Sequence, residues 1–230
     1  MHFSNPLLSG TLIKRYKRFF ADVKLEDEKT ITAHCPNTGP MLGVLAMPQP
    51  AWVSPHNDPK RKLQYTLEIL EKDGVLVGCN THRTNHIAKE LFESETLSPF
   101  GKVSIHAEVK ISDHSRIDFI LNEESDPIYV EVKNVSLTSG EEALFPDTIS
   151  ERAQKHITEL MHLRAQGRRT ALVYIIQRND VTGFRPGGGL DLRYNALCEE
   201  AASMGVEFYA YSCHVSPTEI TANKKLTIIL

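Results

Sequence analysis

Alternating apolar and polar residues mark two short strands near the middle of the chain, at residues 115–121 and 128–135. Because successive side chains of a strand point to opposite faces of a sheet, each strand presents one apolar face. These faces are made by Ile117, Phe119 and Leu121 in the first strand, and by Ile128, Val130 and Val132 in the second. If the two strands pair as a hairpin, Asp118, Glu131 and Lys133 collect on the opposite face.

Two carboxylates and a lysine on one strand face form a candidate catalytic site. Like charges that lie close together repel each other, and partial burial removes their hydration. A Mg²⁺ (or Mn²⁺) ion would relieve that repulsion, since such cations bind one or two carboxylates together with water and substrate phosphate. Asp118 and Glu131 are then the metal ligands, and Lys133 orients or deprotonates the attacking water. The alternative interpretation is a solvated strand face that carries an ordinary Glu–Lys pair.

The remaining pattern from about residue 84 predicts a helix, three strands, a helix, a strand, a helix and a final strand. The first of the three strands carries Glu108 on its polar face, so three successive strands each contribute a carboxylate. Glu108 is therefore a further candidate for catalysis and for metal binding. The strand that follows the second helix ends in Gln177, which could reach the same site.

The second and third helices have recognisable boundaries. Thr148 and Glu151 are spaced as a capping box, and Gly167 is placed to end the second helix. The third helix is expected from Asp191 to Met204. The buried stripes should include Ile149, Ala153 and Ile157 in the second helix, and Leu192, Leu197, Ala201 and Met204 in the third.

Residues 7–78 contain about five short strand-like runs separated by turn signals, which predicts a small β-barrel of the OB type. Alternation along its first run places Lys14, Tyr16 and Arg18 on one face, suited to phosphate contacts and base stacking. A solvated strand with core aromatics is the equal alternative for this run. The candidate nucleic-acid-binding residues are Lys14, Arg15, Tyr16, Lys17, Arg18, Arg61, Lys62, Arg116 and Arg152.

Composition narrows the class of protein without identifying it. The 230 residues have a formal net charge of −3. Residues 1–80 carry 10 Lys/Arg against 8 Asp/Glu, whereas residues 81–230 carry 16 against 21, and basic clusters lie at residues 14–18 and 60–62. The chain has no apolar run of the roughly 18 residues that a membrane helix needs, and no signal-peptide core, so we expect a cytoplasmic protein without a membrane partner. The four cysteines lack C-x-x-C spacing and are expected to be free thiols.

Several motifs together resemble one known family over essentially the whole chain. They are G-T-L-I-K-R-Y-K-R-F, T-A-H-C-P-N-T-G, R-K-L-Q-Y-T-L-E, S-R-I-D-F, Y-V-E-V-K-N-V and V-S-P-T-E-I. This set resembles the sugar fermentation stimulation protein A family. The αβββαβ order, with Asp118 followed by Glu131-Val132-Lys133, is similar to the PD-(D/E)XK nuclease superfamily.

The resemblance implies a mixed α+β or α/β fold, with an OB-like nucleic-acid-binding domain at residues 1–82 and a restriction-endonuclease-like domain at residues 83–230. It also implies DNA binding and a link to sugar (maltose) utilisation. The superfamily acids fall on Asp118 and Glu131 and its lysine on Lys133. Glu108 matches a further acid, with Glu90 as a rival. Ile117 stands where the superfamily often has proline, a change without chemical consequence.

Three functions are compatible with these features. The first is a Mg²⁺-dependent DNA nuclease, acting on single- or double-stranded DNA. The second is a DNA-binding regulator of sugar (maltose) metabolism genes that does not cleave, whose affinity would come from the phosphate backbone. The third and weakest is a carbohydrate enzyme, for which the lone Trp52 offers little stacking surface. The sequence leaves the oligomeric state open, a homodimer included.

Overall fold

The computed structural model of the chain describes residues 1–112 and 115–230. Its first part is a barrel of five strands with a sixth at the edge. They are β1 (Leu8–Tyr16), β2 (Phe20–Leu25), β3 (Thr30–His34), β4 (Gln49–Pro55), β5 (Tyr65–Lys72) and β6 (Val75–Gly78). The order is β3-β2-β1-β4-β5-β6, and β3 also pairs with β5, which closes the barrel. The OB-like barrel predicted from the sequence is confirmed.

The basic run of the first strand turns back on itself. Lys17 and Arg18 have φ angles of 48° and 66°, so they form the turn between β1 and β2. The prediction that Arg18 shares a strand face with Lys14 and Tyr16 is therefore wrong, because the strand ends at Tyr16.

The second part of the chain contains three α-helices and ten strands among the described residues. The helical elements are η1 (Thr81–Arg83), α1 (Thr84–Glu93), α2 (Glu151–Ala165) and α3 (Leu192–Ser203). The strands are β7 (Ile105–Ser112), β8 (Ser115–Leu121), β9 (Ile128–Val135), β10 (Leu137–Ser139), β11 (Glu142–Phe145), β12 (Arg169–Ile176), β13 (Gly183–Pro186), β14 (Glu207–Val215), β15 (Ile220–Lys225) and β16 (Thr227–Ile228).

Six of these strands form the main sheet, in the order β15-β14-β12-β9-β8-β7. Strands β9, β12 and β14 are parallel, whereas β7, β8 and β9 form an antiparallel meander. Helix α1 packs on one face, and α2 and α3 pack together on the other. This is the α/β arrangement expected for the second part of the chain. A small second sheet, β10-β11-β13-β16, is added beside it.

Both faces of the main sheet carry core residues, and this corrects the predicted strand faces. Phe119 and Leu121 pack in the core under α1, but Ile117 packs in the core under α2 and α3. In the neighbouring strand, Ile105 and Val109 likewise pack on opposite faces. Glu108 lies between them with a φ of 54°. At this point of β7 and β8 the side chains therefore no longer alternate regularly between the two faces of the sheet.

Helix α2 starts two residues later than predicted, and α3 starts one residue later. The side chain of Ser150, rather than Thr148, caps α2 by accepting a hydrogen bond from the backbone N–H of Ala153. Ile149 therefore lies outside the helix and is 70% exposed. Asp191 caps α3, and Leu192 directly after the cap is 75% exposed rather than buried. Leu197 and Ala201 are buried as predicted, whereas Met204 is exposed.

The two parts of the chain share contacts. The backbone of Met1 accepts a hydrogen bond from Ile220 N–H, and its side chain packs in the core under α1. The first residues thus lie against the edge strand β15 of the main sheet, although residues 1–82 are predicted as one domain from the sequence. No helix among the described residues is both long and apolar enough to span a bilayer.

Gly78, at the end of β6, contacts the second part of the chain closely, and its replacement by alanine should destabilise the protein. A Cβ atom there would lie 2.3 Å from Gln177 Oε1 and 3.0 Å from Ile220 Cδ1. We expect Gly78→Ala to lower the free energy of unfolding by about 1–3 kcal/mol, the usual effect of overpacking. Gly183→Ala is the matched control, because its Cβ would meet no atom closer than 3.8 Å. Urea denaturation measures both, and equal stabilities would contradict the prediction.

Candidate active site

A groove of about 820 Å³ runs between the barrel and the main sheet. Its walls come from the loop after β3, from η1 and α1, from the meander β7–β9, and from the start of α2. Four of the predicted catalytic residues line it, namely Glu108, Asp118, Glu131 and Lys133. The structure therefore brings the two acids and the lysine to one surface that a polymer could reach.

Asp118 is held at both carboxylate oxygens. Its Oδ2 accepts a hydrogen bond from the Val132 N–H at 2.8 Å, and its Oδ1 accepts one from Asn85 Nδ2 at 3.0 Å. Burial, and next the negative charge of Glu131, raise the pKa of Asp118 above its ordinary value despite these hydrogen bonds. The carboxyl group is thus fixed in position but electrostatically strained, because a second acid lies near it.

Glu131 is only 3% exposed and lies between the side chains of Lys133 and His156. Lys133 Nζ donates to its Oε1 at 2.5 Å, and His156 Nδ1 contacts the same oxygen. Burial alone would raise the pKa of Glu131, but the hydrogen bond from His156 and the charge of Lys133 outweigh it and lower the pKa. Glu131 is therefore ionised over a wide pH range.

Lys133 is 9% exposed, and its ammonium group lies 3.1 Å from His156 Nδ1. The position of the ammonium is fixed by Glu131 on β9, whose Oε1 also contacts His156 on the second turn of α2. An ammonium group held in this way can orient a water molecule or stabilise charge on a phosphate oxygen without reorganising.

A divalent cation fits this set of side chains. Burial, and next the negative charge of Glu131, raise the pKa of Asp118, and a cation bound there would offset both effects. Among the described residues, no group of three or more His, Cys, Asp or Glu side chains is arranged to hold a metal ion. The carboxylates of Asp118 and Glu131 at the groove are the groups that could hold Mg²⁺, which takes one or two carboxylates and keeps several water ligands.

Glu108 and the rival acid Glu90 differ in location. Glu108 is exposed at the groove, at the positive-φ position of β7 described above. Glu90 Oε2 instead pairs with the amino group of Met1 at 2.5 Å, and Glu90 does not line the groove. The structure therefore brings Glu108, and not Glu90, to the same groove as Asp118.

Gln177 lies behind the wall of the groove rather than in it. The residue is fully buried, and its Nε2 donates to Asn134 Oδ1 at 2.5 Å and to Thr84 Oγ1 at 3.4 Å. Because Asn134 and Thr84 do line the groove, Gln177 supports its wall. The expectation that it reaches the site directly is corrected, since the side chain points into the contact with Gly78.

The predicted nucleic-acid-binding residues are dispersed. Arg152 is exposed and lines the groove at the start of α2. Arg15 faces inward, because its Nη2 donates to the carbonyls of Asn37 and Gly39 at 2.8 Å. Arg61 donates to Leu63 O and Thr66 Oγ1 and lines a different cavity. The remaining residues lie on the surface outside the groove. Lys14 Nζ lies over the ring of the half-buried Tyr16, 5.4 Å from its centroid. The exposed cations are Lys17, Arg18, Lys62 and Arg116.

Two residues of the site carried no strong signal in the sequence. Asn85 could be recognised only as a residue near a helix start, yet it holds Asp118. His156 looked like one of several polar residues on the early turns of α2, yet it contacts Glu131. Both depend on how a helix docks on the sheet, which local pattern does not encode.

Comparison with known proteins places this architecture in a family. The model described as the sugar fermentation stimulation protein RE domain matches residues 82–219, and the model of the SfsA N-terminal OB domain matches residues 13–79. A sugar fermentation stimulation protein homolog of Geobacter metallireducens is 42% identical over 232 residues, covering 100% of both chains. A homolog of Synechococcus sp. is 45% identical over 218 residues, covering 95% of this chain and 91% of the relative.

A solved structure has the same fold over nearly its whole length. It is described as Pyrococcus furiosus SfsA in complex with Ca²⁺. The two chains superpose with a TM-score of 0.90 and are 28% identical, with 100% of this chain and 98% of the other covered.

Proposed function

This chain belongs to the sugar fermentation stimulation protein family, and from its groove we propose that it is a DNA-binding protein that hydrolyses phosphodiester bonds with a divalent cation. The observation that carries the proposal is the convergence of Asp118, Glu131 and Lys133 on one open groove. The OB domain of the family supports nucleic-acid binding. We place the activity in the cytoplasm, where four free, buried cysteines remain reduced.

The path of the substrate follows from the walls of the groove. Pro36 and Thr38 of the barrel face the carboxylates of the main sheet across it. A DNA strand lying in the groove would therefore contact both parts of the chain. Arg152 and Lys89 lie at its edge as exposed cations for backbone phosphates.

The chemistry divides among a few side chains. Asp118 and Glu131 would hold Mg²⁺ or Mn²⁺, with Glu108 as an exposed third acid. When bound, such a cation supplies an acidified water nucleophile and neutralises charge on the scissile phosphate. Lys133 holds the attacking water or a phosphate oxygen, and Glu131 fixes the ammonium in place. Asn85 and the Val132 N–H keep the Asp118 carboxylate oriented toward the groove.

The second candidate is the DNA-binding regulator of sugar (maltose) metabolism genes that does not cleave. It is favoured by the pairing of Glu131 Oε1 with both Lys133 and His156, which satisfies that carboxylate without a cation. Binding would then be metal-independent and driven by backbone phosphates.

A cleavage assay separates the two functions. The full chain is incubated with end-labelled single- and double-stranded DNA in Mg²⁺, Mn²⁺ or EDTA. The nuclease proposal expects cleavage that EDTA abolishes. DNA binding without cleavage under every one of these conditions would instead establish the regulator.

Arg152→Gln should weaken DNA binding without regard to sequence. Removing one phosphate contact should reduce the slope of log K against log salt by about one. The matched control is Arg193→Gln, since Arg193 is exposed on α3 and does not line the groove. Fluorescence anisotropy with a labelled oligonucleotide at several salt concentrations measures both variants, and identical slopes for the two would contradict the proposed strand path.

A further inference from the structure

A second cavity of about 310 Å³ lies beside the groove, at the junction between the barrel and α1. We refer to it as the histidine–arginine pocket, defined by His34, His56, Arg61, His82, Arg83 and His86. These residues come from β3, the loop after β4, η1 and α1. Four imidazoles and two guanidiniums from distant parts of the chain thus converge on a space large enough for a nucleotide-sized group.

The acid in the wall of the pocket is already neutralised. Glu68 is fully buried, and Arg83 donates to both of its oxygens, at 2.8 and 3.1 Å. Ser54 Oγ and Asn80 Nδ2 complete its hydrogen bonds at 2.7 and 2.9 Å. The charges of Glu68 and Arg83 cancel, so Arg61 leaves the pocket with a net positive charge even when every histidine is neutral.

The histidines add to this positive character when an anion is present. Burial, and next the neighbouring His82, lower the pKa of His34, and burial followed by Arg61 lowers the pKa of His56. Both imidazoles are therefore neutral near neutral pH in the empty pocket. An anion held among Arg61, Arg83 and these imidazoles would reverse the shifts, so its binding would take up protons.

The pocket is joined to the groove. His82 and His86 line both cavities. A strand that lies across the carboxylates can thus extend to the pocket without crossing a wall.

We propose that the histidine–arginine pocket binds a phosphate group of the nucleic-acid strand that occupies the neighbouring groove. The ligand is an anion rather than a metal ion, because two guanidiniums share the wall and the described residues contain no cluster of three metal-binding side chains. The inference rests on the proposed function, since it assumes that DNA lies in the groove. The pocket would anchor the strand at a site separate from the hydrolytic residues.

The test is DNA binding by the full-length double variant His34→Gln/His56→Gln in EDTA. Glutamine retains hydrogen bonding but cannot become charged. At pH 6 we expect the Kd for a labelled oligonucleotide to rise about tenfold, as for the loss of one charged hydrogen bond, and the salt slope to fall by about one. At pH 8 the difference should shrink, because burial lowers the pKa of His34 and of His56, so that both are then neutral in the wild type. The control is His162→Gln/His214→Gln, two exposed histidines outside both cavities.

The outcomes are distinct. If the double variant loses more affinity for a 5′-phosphorylated oligonucleotide than for its 5′-hydroxyl form, the pocket binds a terminal phosphate. If it loses affinity equally for both, the pocket binds an internal phosphodiester. If the wild type binds DNA and the double variant binds equally well at pH 6 with an unchanged melting temperature, phosphate binding by the pocket is disproved and the proposed function stands. If the wild type binds no DNA, both are overturned.

Discussion

Lys133→Met is expected to lower the rate of Mg²⁺-dependent DNA cleavage by about 10²–10³-fold, the usual effect of removing one preorganised donor from an active site. Methionine keeps most of the length and volume of the lysine stem and removes only the ammonium group. That group lies 2.5 Å from Glu131 Oε1 and faces the groove, where charge develops on the phosphate. Single-turnover kinetics with saturating protein measures the chemical step without contributions from product release.

The control for this variant is Lys155→Met. Lys155 is also on the α2 side of the molecule, but it is exposed, pairs with Glu159 at 3.7 Å and does not line the groove. Its cleavage rate should match that of the wild type. DNA binding by Lys133→Met, measured in EDTA, should change far less than its cleavage rate. Cleavage by Lys133→Met at the wild-type rate would remove the lysine from the mechanism.

Asp118→Asn should make the protein more stable without a metal ion and insensitive to Mg²⁺. Because the pKa of Asp118 is raised in the folded state, the folded protein binds its proton more tightly than the unfolded chain does. Stability therefore falls as pH rises through the interval between the two pKa values, and the full penalty applies above it. Asparagine removes that penalty, so the variant should exceed the wild type near neutral pH and lose its advantage below about pH 4.

Added Mg²⁺ should make the wild type more stable than Asp118→Asn. The wild type should gain about 2.7 kcal/mol at a cation concentration of 100 times Kd, whereas Asp118→Asn should gain little. Asp180→Asn is a contrasting control. Its partner Arg178 holds the pKa of Asp180 below the ordinary value, so this substitution should lower stability at neutral pH and leave the Mg²⁺ response intact. Thermal denaturation at pH 4 and pH 7, with and without Mg²⁺, measures all three proteins, and equal Mg²⁺ responses in wild type and Asp118→Asn would contradict the metal-binding role.

The parts of the molecule that sequence could predict are those governed by local pattern and by family motifs. Short alternating runs separated by turn residues led to the OB-like barrel, and the alternation of β9 placed Glu131 and Lys133 on one face. Leu197 and Ala201 of α3 are also buried as their helical spacing predicts. In these elements the period of the side chains and the burial agree.

The failures arise where the backbone leaves regular geometry or where contacts are long-range. Glu108 with its positive φ changes the facing of β7, which a period of two cannot represent. Arg15 looks like a surface cation in the sequence, yet its guanidinium binds carbonyls more than 20 residues away. The sequence pattern likewise places Gln177 at the end of a strand but does not predict whether its side chain is buried. The side chain is buried because it packs against Gly78.

The most direct test of the account is a crystal of the full chain soaked in Mn²⁺ and measured at the manganese edge. We expect one anomalous peak in the groove, within coordination distance of carboxylate oxygens from both Asp118 and Glu131. A well-ordered groove without a peak, at the Mn²⁺ concentration and pH of the cleavage assay, would contradict metal binding by Asp118 and Glu131.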